Sequence, residues 1–446
     1  MASTSKESYE PALVPPNFAL SLALRQLEKI LIWKKRHGSV VFLSDTTLRD
    51  GEQMAGVRLN PDAKVMIAKA LAAAGIQSID AGSPAASAEE IEAVRRISHE
   101  VHGPVITAHC RTLPQDIDKV AEAFEGASVF KRGVTVFIGV SPIHREQKHR
   151  KTKAEIIRMA VDAIQYAKRF FRIVTFGPED AGRTEPEYLY EIYREAIDAG
   201  ATTIGFADTV GILTPEKAGD RVKGILDNVR NMDRALLAVH FHNDLGLGTA
   251  CALAAVSAGV NIVQGTVNGI GERAGNTALE EVVMALRLHP DQYRRYCHVD
   301  PSKLYDLSHL VARLTGVKPS INKPIVGDNL FVTESGVHQD GLLKDPTSYL
   351  PFPPADTGSP PVRLVLGKHS GRRAVRYRMA ERGVDLNDAQ VQQILDHLKA
   401  GPKKLVYDSD QDLDDLLDEV FQGAIRPNGA SPAPRADDEP TSAAAR

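Results

Sequence analysis

Eight short apolar runs, rich in β-branched residues, alternate with segments of helical periodicity, and this alternation constrains the fold of the 446-residue chain more than any other feature. The apolar runs lie near 40–44, 76–80, 104–108, 134–138, 172–176, 202–206, 236–241 and 261–265. The helical segments lie near 61–74, 87–101, 114–125, 153–170, 185–199, 215–230, 246–258 and 277–288. Eight successive strand–helix units favour a closed parallel barrel over an open sheet. The predicted fold class is α/β, a (β/α)8 TIM barrel followed by a smaller, mainly helical C-terminal subdomain.

The pattern divides the chain into four parts. They are, in order, an N-terminal extension, the barrel domain, a linker with the C-terminal subdomain, and a disordered tail: 1–38, 39–290, 291–422 and 423–446. In the extension, apolar residues recur at helical spacing over 18–34, which predicts an amphipathic helix that docks on another surface. After the barrel, 316–345 is rich in turn residues and 371–421 is predicted to be helical. The tail combines Ala, Pro and Asp with few apolar side chains, a composition typical of disorder.

Charge and cysteine content argue against several partners and compartments. The net charge of −3 gives no attraction to nucleic acid or to an anionic membrane, so we expect neither as a partner. The chain contains three cysteines, a small odd number without a pair at metal-ligand spacing, which favours a reducing compartment. Charged residues interrupt the first apolar stretch, which argues against a signal peptide. We therefore expect a cytoplasmic protein.

Metal-ligating side chains follow two of the predicted strands. Asp50 comes shortly after the first strand, and His240 and His242 end the seventh. Histidines two residues apart on a strand point to the same face, and the carboxyl ends of barrel strands line the active site. Two imidazoles and one carboxylate leave open positions for a substrate, as a catalytic metal requires. A pair of hydrogen-bonded loop histidines is the alternative explanation for the His-x-His pattern.

Further polar side chains are predicted at the same rim. Arg49 is placed to stabilise charge on a metal-bound carbonyl oxygen, the alternative being a surface salt bridge with Glu52. Glu179 ends the fifth strand and Thr209 follows the sixth, although either neighbourhood could instead cap the next helix. A glycine-rich run after the eighth strand ends in Asn276, which could donate to a metal-bound water or cap the next helix.

Three long motifs carry a family resemblance. The runs S-D-T-T-L-R-D-G-E-Q, V-H-F-H-N-D-L-G-L and V-N-G-I-G-E-R-A-G-N resemble the 2-isopropylmalate synthase and homocitrate synthase family. These are barrel enzymes that condense acetyl-CoA with a 2-oxo acid. The resemblance extends from about 39 to 375 and includes E-S-G-V-H-Q-D-G and L-G-K-H-S-G after the barrel.

The resemblance implies a Claisen-type condensation followed by thioester hydrolysis. It implies that a divalent ion (Mn²⁺, Mg²⁺, Co²⁺ or Zn²⁺) on the predicted ligands chelates the 2-oxo acid, while Arg49 polarises its carbonyl. His338 matches the family histidine that helps to deprotonate the acetyl methyl, with Glu179 and Thr209 near the reacting centre. Because the segment carrying His338 follows the barrel and in this family reaches over the partner's active site, a homodimer is also implied.

Three positions bear on which acid is bound. His109 stands where leucine-pathway members of the family place an aliphatic residue, and Gly177 stands where serine is usual. A pocket of this kind should favour a charged side chain, because buried polar groups without partners cost about 1–3 kcal/mol each. His144 is a family histidine in a basic run that also keeps the family lysine, Lys148, and a solvated helix start is the simpler explanation of the extra basic residues Arg145 and Arg150.

The substrate and the reaction class therefore have alternatives. Isopropylmalate or homocitrate synthesis is the default assignment, and a synthase of specialised metabolism acting on a phosphono- or phosphinopyruvate is the competitor. A thioester lyase resembling those that cleave 3-hydroxy-3-methylglutaryl-CoA is a different class. It is disfavoured because 264–281 lacks the cysteine of the lyase glycine loop. Biotin-dependent carboxyltransferases use a lysine near the metal, and no lysine lies on the predicted strand ends of this chain. A catalytically silent binding protein has little support, because every expected type of ligand residue is present.

Overall fold

The structure, a computed structural model, describes residues 38–426. These residues belong to two compact units, the first ending at Pro319 and the second beginning at Ser320. The predicted helix over 18–34 lies outside the described residues, and so does the predicted tail, 423–446, from 427 onward. Among the helices of 38–426, none has both the length and the apolar character needed to cross a membrane.

The first unit contains a closed barrel of eight parallel strands in chain order, and its last strand pairs with its first. The strands, β1 to β8, are Phe42–Asp45, Ser78–Asp80, Val105–Arg111, Arg132–Gly139, Ile173–Glu179, Thr203–Asp208, Leu236–Phe241 and Ile262–Gly265. Each one overlaps a predicted apolar run. The predicted barrel fold is confirmed, and all carboxyl ends of the strands meet at one rim.

Eight helices, α1 to α8, follow the eight strands. They are Pro61–Ala73, Ala88–Glu100, Pro114–Ala123, Lys153–Ala167, Pro186–Asp198, Pro215–Asn228, Gly248–Ala258 and Leu279–Leu288. Polar N-caps start several of them, as where the Thr152 hydroxyl and the Glu155 side chain form a capping box at α4. Gly259 ends α7 with a φ of +110°, a left-handed conformation that glycine adopts without strain. Two more helices, α9 (Pro290–Tyr293) and α10 (Leu304–Thr315), complete this unit.

The second unit is mainly helical. Its helices, α11 to α14, are Gly336–Lys344, Arg372–Glu381, Asp388–Ala400 and Asp410–Phe421, and its short strands, β9 to β12, are Val332–Thr333, Arg363–Leu364, Leu366–Gly367 and Val406–Tyr407. Strand β9 pairs in parallel with β10, and β11 pairs antiparallel with β12. The last three helices pack around a buried apolar cluster that includes Val375, Ile394 and Leu416. The helical C-terminal region is thus as predicted.

Two local features differ from the sequence analysis. Helix α11 lies at the end of 316–345, a segment expected to be rich in turns; its buried Gln339 amide donates to the carbonyls of Thr333 and Val365, so tertiary hydrogen bonds hold the helix. The basic run after β4 is a π-helical turn, His144–His149, and the solvated position expected for Arg145 is wrong, whereas Arg150 just after the turn is exposed. Arg145 within it is buried, forms a bidentate ion pair with Glu185, and covers the ring of Tyr188.

Candidate active site

Asp50, His240 and His242 converge at the carboxyl rim of the barrel. The two imidazole Nε2 atoms are 3.1 Å apart, and they lie 3.6 Å (His240) and 3.9 Å (His242) from Asp50 Oδ2. All three side chains are buried. One ligand atom from each residue can be chosen so that all three lie within 4.8 Å of one another, which makes this a candidate metal site.

The three groups fit a divalent ion in distance and in protonation. The distances between the two Nε2 atoms and Asp50 Oδ2 are shorter than two metal–ligand bonds of about 2.0–2.2 Å, so one ion can contact all three. Burial, reinforced by the neighbouring His242, lowers the pKa of His240 to about 3, and burial also lowers the pKa of His242. Burial alone would raise the pKa of Asp50, but Arg49 and the two histidines hold that pKa well below its usual range. Neutral imidazoles and an ionised carboxylate are the forms that bind a metal.

Asn276 reaches this site through the loop after β8. The backbone of this loop pairs with the residues that follow β7. The Asn243 backbone amide donates to the Gly275 carbonyl, and His242 and Asn276 form an isolated antiparallel β-bridge. The Asn276 amide donates to Asp50 Oδ1 at 2.8 Å, whereas its own buried oxygen has no hydrogen-bond partner within the described part of the chain. It does not cap α8, so the capping alternative is wrong.

Gly271 allows this close approach. Its φ is +151°, and an added Cβ would overlap the Asn276 amide nitrogen and lie 2.9 Å from Asp50 Oδ1. A glycine is therefore required where the loop passes the carboxylate. The glycine-rich run after the eighth strand thus serves the candidate metal site.

Arg49 lies in a row of alternating charges. Its guanidinium donates to Asp50 Oδ2 at 2.8 Å and to Asp80 Oδ2 at 2.9 Å. The alternative pairing with Glu52 is wrong, because Glu52 instead binds the buried ammonium of Lys64 at 2.7 Å. These two hydrogen bonds, to two different carboxylates, fix the plane of the guanidinium beside the candidate metal ligands.

Asp80 was not recognised from the sequence. It is the last residue of β2, a strand of three residues, and a polar side chain at a strand end was the signal available. His109 Nδ1 lies 3.4 Å from Asp80 Oδ2, longer than an ordinary hydrogen bond, and the His109 ring packs on Phe137 with ring centroids 4.7 Å apart. Burial, with the nearby guanidinium of Arg49, lowers the pKa of His109, so this side chain is neutral near pH 7.

A cavity of about 440 Å³ opens at this rim. Eight of the predicted site residues line it: Arg49, Asp50, His109, Gly177, Glu179, Thr209, His240 and His242. Gly177 leaves space there, since an added Cβ would meet the Thr135 methyl at 3.5 Å, an ordinary contact. One cavity therefore collects side chains from β1, β3, β5, β6 and β7 or from the loops that follow them.

Glu179 and Thr209 face this cavity in different settings. The Glu179 carboxylate binds the Lys148 ammonium at 2.6 Å, and His144 Nδ1 lies 3.7 Å from the same oxygen, although His144 does not line the cavity. The Thr209 hydroxyl accepts a hydrogen bond from the Asp180 amide at 2.8 Å. Neither residue caps the following helix, since α5 has no side-chain cap and α6 is capped by Thr214.

His338 belongs to the second unit and is described within it. It lies near the start of α11, is exposed, and stacks on Tyr349 with ring centroids 4.2 Å apart. Its proposed participation in catalysis stays a prediction, as do the assigned roles of the barrel residues.

A barrel with candidate metal ligands at its carboxyl rim is typical of metal-dependent barrel enzymes, and the fold and site place this chain in that class. A family model described as HMGL-like matches 40–311, and one described as homocitrate synthase post-HMGL domain-like matches 325–404. Similar curated proteins are the 2-isopropylmalate synthases of Picosynechococcus sp. (43% identity, covering 86% of this chain and 74% of the relative) and Pyrococcus furiosus (45%, 80% and 71%). The chain therefore belongs to the HMGL-like family and, within it, to the family of the 2-isopropylmalate synthases.

Solved structures agree on the fold alone. A hydroxymethylglutaryl-CoA lyase from Pseudomonas aeruginosa has a TM-score of 0.54 at 20% identity, covering 63% of this chain and 95% of that one. The carboxyl transferase domain of Rhizobium etli pyruvate carboxylase has a TM-score of 0.51 at 19% identity, covering 70% and 53%.

Family membership confirms the predicted enzyme class. The chain is an acyltransferase of the type that condenses acetyl-CoA with a 2-oxo acid, and its family is dependent on divalent metal. The lyase and the synthase of charged 2-oxo acids are not favoured by these relatives.

Proposed function

We propose that this chain joins the acetyl group of acetyl-CoA to 3-methyl-2-oxobutanoate and releases 2-isopropylmalate. The observation that carries the proposal is the buried set of Asp50, His240 and His242 beside Arg49, in a chain 43–45% identical to enzymes named for that product. The product fixes the acid chemically, because removing the acetyl unit from 2-isopropylmalate leaves this branched 2-oxo acid.

His109 is compatible with an aliphatic substrate. Its ring packs on Phe137 and its Nδ1 faces Asp80, so its polar edge is directed to a carboxylate of the protein. Because burial and the nearby Arg49 guanidinium lower the pKa of His109, its ring is neutral near pH 7 and offers no positive charge to an anionic side chain of the acid. The departure at His109 therefore does not by itself favour a charged acid.

Arg49 would stabilise the negative charge that develops on the 2-oxo oxygen during carbon–carbon bond formation. The guanidinium is held by Asp50 and Asp80 and is almost fully buried, so it acts in a setting of reduced dielectric without having to reorganise. A divalent ion (Mn²⁺, Mg²⁺, Co²⁺ or Zn²⁺) held by Asp50, His240 and His242 and supported by Asn276 supplies Lewis-acid polarisation of the acid when bound.

The reaction combines two proton transfers with the formation of one carbon–carbon bond and the hydrolysis of a thioester. The acetyl methyl loses a proton, its carbon bonds to the 2-oxo carbon, the resulting alkoxide takes up a proton, and water cleaves the thioester to release the CoA thiol. We assign deprotonation to His338 with the help of Glu179, and binding of the substrates to Thr209, His109, His144 and Gly177. We also propose that the enzyme is a cytoplasmic homodimer in which the segment carrying His338 completes the site of the partner.

A substrate panel tests the proposal. The full chain, supplied with Mn²⁺ and acetyl-CoA, is incubated with 3-methyl-2-oxobutanoate, 2-oxoglutarate, pyruvate or 3-phosphonopyruvate, and free thiol and product mass are measured. We expect thiol release with the branched acid and a product with the mass of 2-isopropylmalate. Release with none of the acids would refute a synthase, and release only with a charged acid would refute the assignment of the substrate.

A further inference from the structure

A second cavity opens at the opposite, amino-terminal mouth of the barrel. Its volume is about 580 Å³. The first residue of seven of the eight strands lines it: Phe42, Ser78, Val105, Ile173, Thr203, Leu236 and Ile262. It opens at the other end of the barrel from the carboxyl-rim cavity, with which it shares only the lining residues Thr135, Thr175 and Gln264, and the reaction proposed above does not use it.

Small side chains leave this mouth unfilled. Bulky branched residues in three layers usually fill the interior of such a barrel. Here the lining includes Ser44, Thr107, Thr175 and Ala238, which are too short to close the space.

The cavity carries apolar surface without a cover among residues 38–426. Phe42, Ile173, Leu236 and Ile262 are only half-buried, although they point into the mouth of a barrel. At its edge Phe130 is 65% exposed, with the Arg172 guanidinium 4.5 Å from its ring centroid. A connected apolar surface of this kind is typical of a docking site.

The chain itself supplies an occupant of matching chemistry. Residues 18–34 predict an amphipathic helix whose Leu20, Leu24, Leu27 and Leu31 share one stripe. A 17-residue helix would be about 26 Å long. Position 34 is only eight positions from Phe42, which itself lines the cavity, and eight residue steps span at most about 29 Å.

We propose that the N-terminal segment 18–34 packs as a helix across the amino-terminal mouth of its own barrel, with the leucine stripe covering this cavity. Docking removes the half-buried side chains of the mouth and the leucines from water in one step. A short covalent connection gives the segment a local concentration in the millimolar range, which favours it over a second copy or a free apolar ligand.

Photo-crosslinking in the full chain tests the placement. Benzoylphenylalanine replaces Leu27 in one variant and Arg25, on the opposite face of the predicted helix, in a matched control. We expect the probe at Leu27 to attach to lining residues such as Phe42 or Leu236 of the same chain, and the probe at Arg25 not to do so. Attachment of the Leu27 probe to another surface or to a second copy, or no attachment, would overturn the proposal.

A tryptophan placed in the leucine stripe gives a second readout: Leu31→Trp is combined with Trp33→Phe, since Trp33 is the only tryptophan of the chain. Iodide quenching of this reporter is compared between the reporter chain itself, the reporter chain with Leu27→Asp and the reporter chain with the polar-face control Ser21→Asp. Removing one buried leucine should shift the equilibrium from docked to undocked by roughly ten- to a hundredfold, so quenching should rise in Leu27→Asp alone. Equal quenching in all three proteins would contradict the docked helix.

Discussion

The two ends of the barrel differ in what they bury. At the carboxyl rim, Asp50, Asp80 and Arg49 are almost fully desolvated, and each has an oppositely charged partner within 2.9 Å. At the amino-terminal mouth, the lining consists mainly of hydroxyl-bearing and apolar side chains. Because burying an unpaired charge costs several kcal/mol, charges persist in the interior only where each one stabilises another. The contrast identifies the rim as the end built for chemistry.

Single strands carry apolar side chains at the amino-terminal mouth and polar side chains at the carboxyl rim. Strand β7 begins with Leu236 in the amino-terminal mouth and bears His240 near its other end, and β1 runs from Phe42 to Asp45. The difference between the ends therefore lies in the side chains and not in the backbone. Substitutions at the two ends should consequently have unequal effects on turnover.

Removal of divalent ions should have the largest effect. After treatment with a chelator and its removal, we expect thiol release from acetyl-CoA to fall by more than about a thousandfold, since loss of the ion should exceed the 10–100-fold typical of lost outer-shell partners. Readdition of Mn²⁺ should restore it. Full turnover in the metal-depleted protein would contradict a metal-dependent reaction at the carboxyl rim, and with it the proposed difference between the two ends of the barrel.

Arg49→Lys should lower kcat by roughly 100–1,000-fold, because a lysine cannot keep both hydrogen bonds and the same position beside the 2-oxo oxygen. Arg58→Lys is the matched control, since Arg58 forms an exposed pair with Glu89. Steady-state kinetics of thiol release measure both. Equal rates for the two variants would remove Arg49 from the reacting centre.

Asn276→Ala should lower turnover or metal affinity by roughly 10–100-fold, the usual effect of losing a partner that orients a metal ligand. The amide that donates to Asp50 Oδ1 would be lost, while Gly271 and the loop remain. Asn228→Ala is the control, because its amide bonds only a helix carbonyl at the surface. An unchanged metal affinity and turnover in Asn276→Ala would count against this support.

Asp45, at the end of β1, should make the stability of the folded protein depend on pH. Burial raises its pKa from 3.8 to about 7, against the hydrogen bonds from Thr47, since among residues 38–426 no cation pairs with it as Arg49 pairs with Asp50. Between about pH 4 and pH 7 the folded state therefore holds a proton that the unfolded state has lost, and this stabilisation disappears as pH rises through about 7.

Urea unfolding of the unmodified chain and of Asp45→Asn tests this. The difference in free energy of unfolding should fall with pH by on the order of 1 kcal/mol per pH unit between about pH 5 and pH 7, and then level off. The exposed substitution Asp62→Asn should give a flat difference. A flat difference for Asp45→Asn would show that its carboxyl is ionised throughout.

Thr203→Val at the amino-terminal mouth should have the smallest effect, changing kcat by less than about twofold. Thr203 lines the cavity at the amino-terminal mouth, and valine has nearly the same shape as threonine. The same thiol assay measures it. A loss comparable to that of Arg49→Lys would mean that both ends take part in the reaction.

The barrel and much of its candidate site could be predicted from the sequence because both depend on local pattern. Each strand is a short apolar run, and the polar residues directly after such runs share one rim. Asp50, His240 and His242 could be brought together this way, although 190 residues separate Asp50 from His240.

The remaining features depend on tertiary contacts that no local pattern carries. Lys64 looks like a surface residue of α1, yet it is fully buried between the carboxylates of Glu52 and Glu90. Asp80 ends a strand of only three residues, and its role becomes visible when Arg49 lies beside it. Arg145 likewise required the position of Glu185, 40 residues away.

Calorimetric titration with Mn²⁺ tests the central claim, that Asp50, His240 and His242 hold one divalent ion. The metal-depleted full chain is compared with His242→Ala and with His102→Ala, an exposed histidine away from the site. We predict one ion per chain in the unmodified protein and in His102→Ala, and no measurable binding at this site in His242→Ala. Undiminished binding of one ion by His242→Ala would contradict the account.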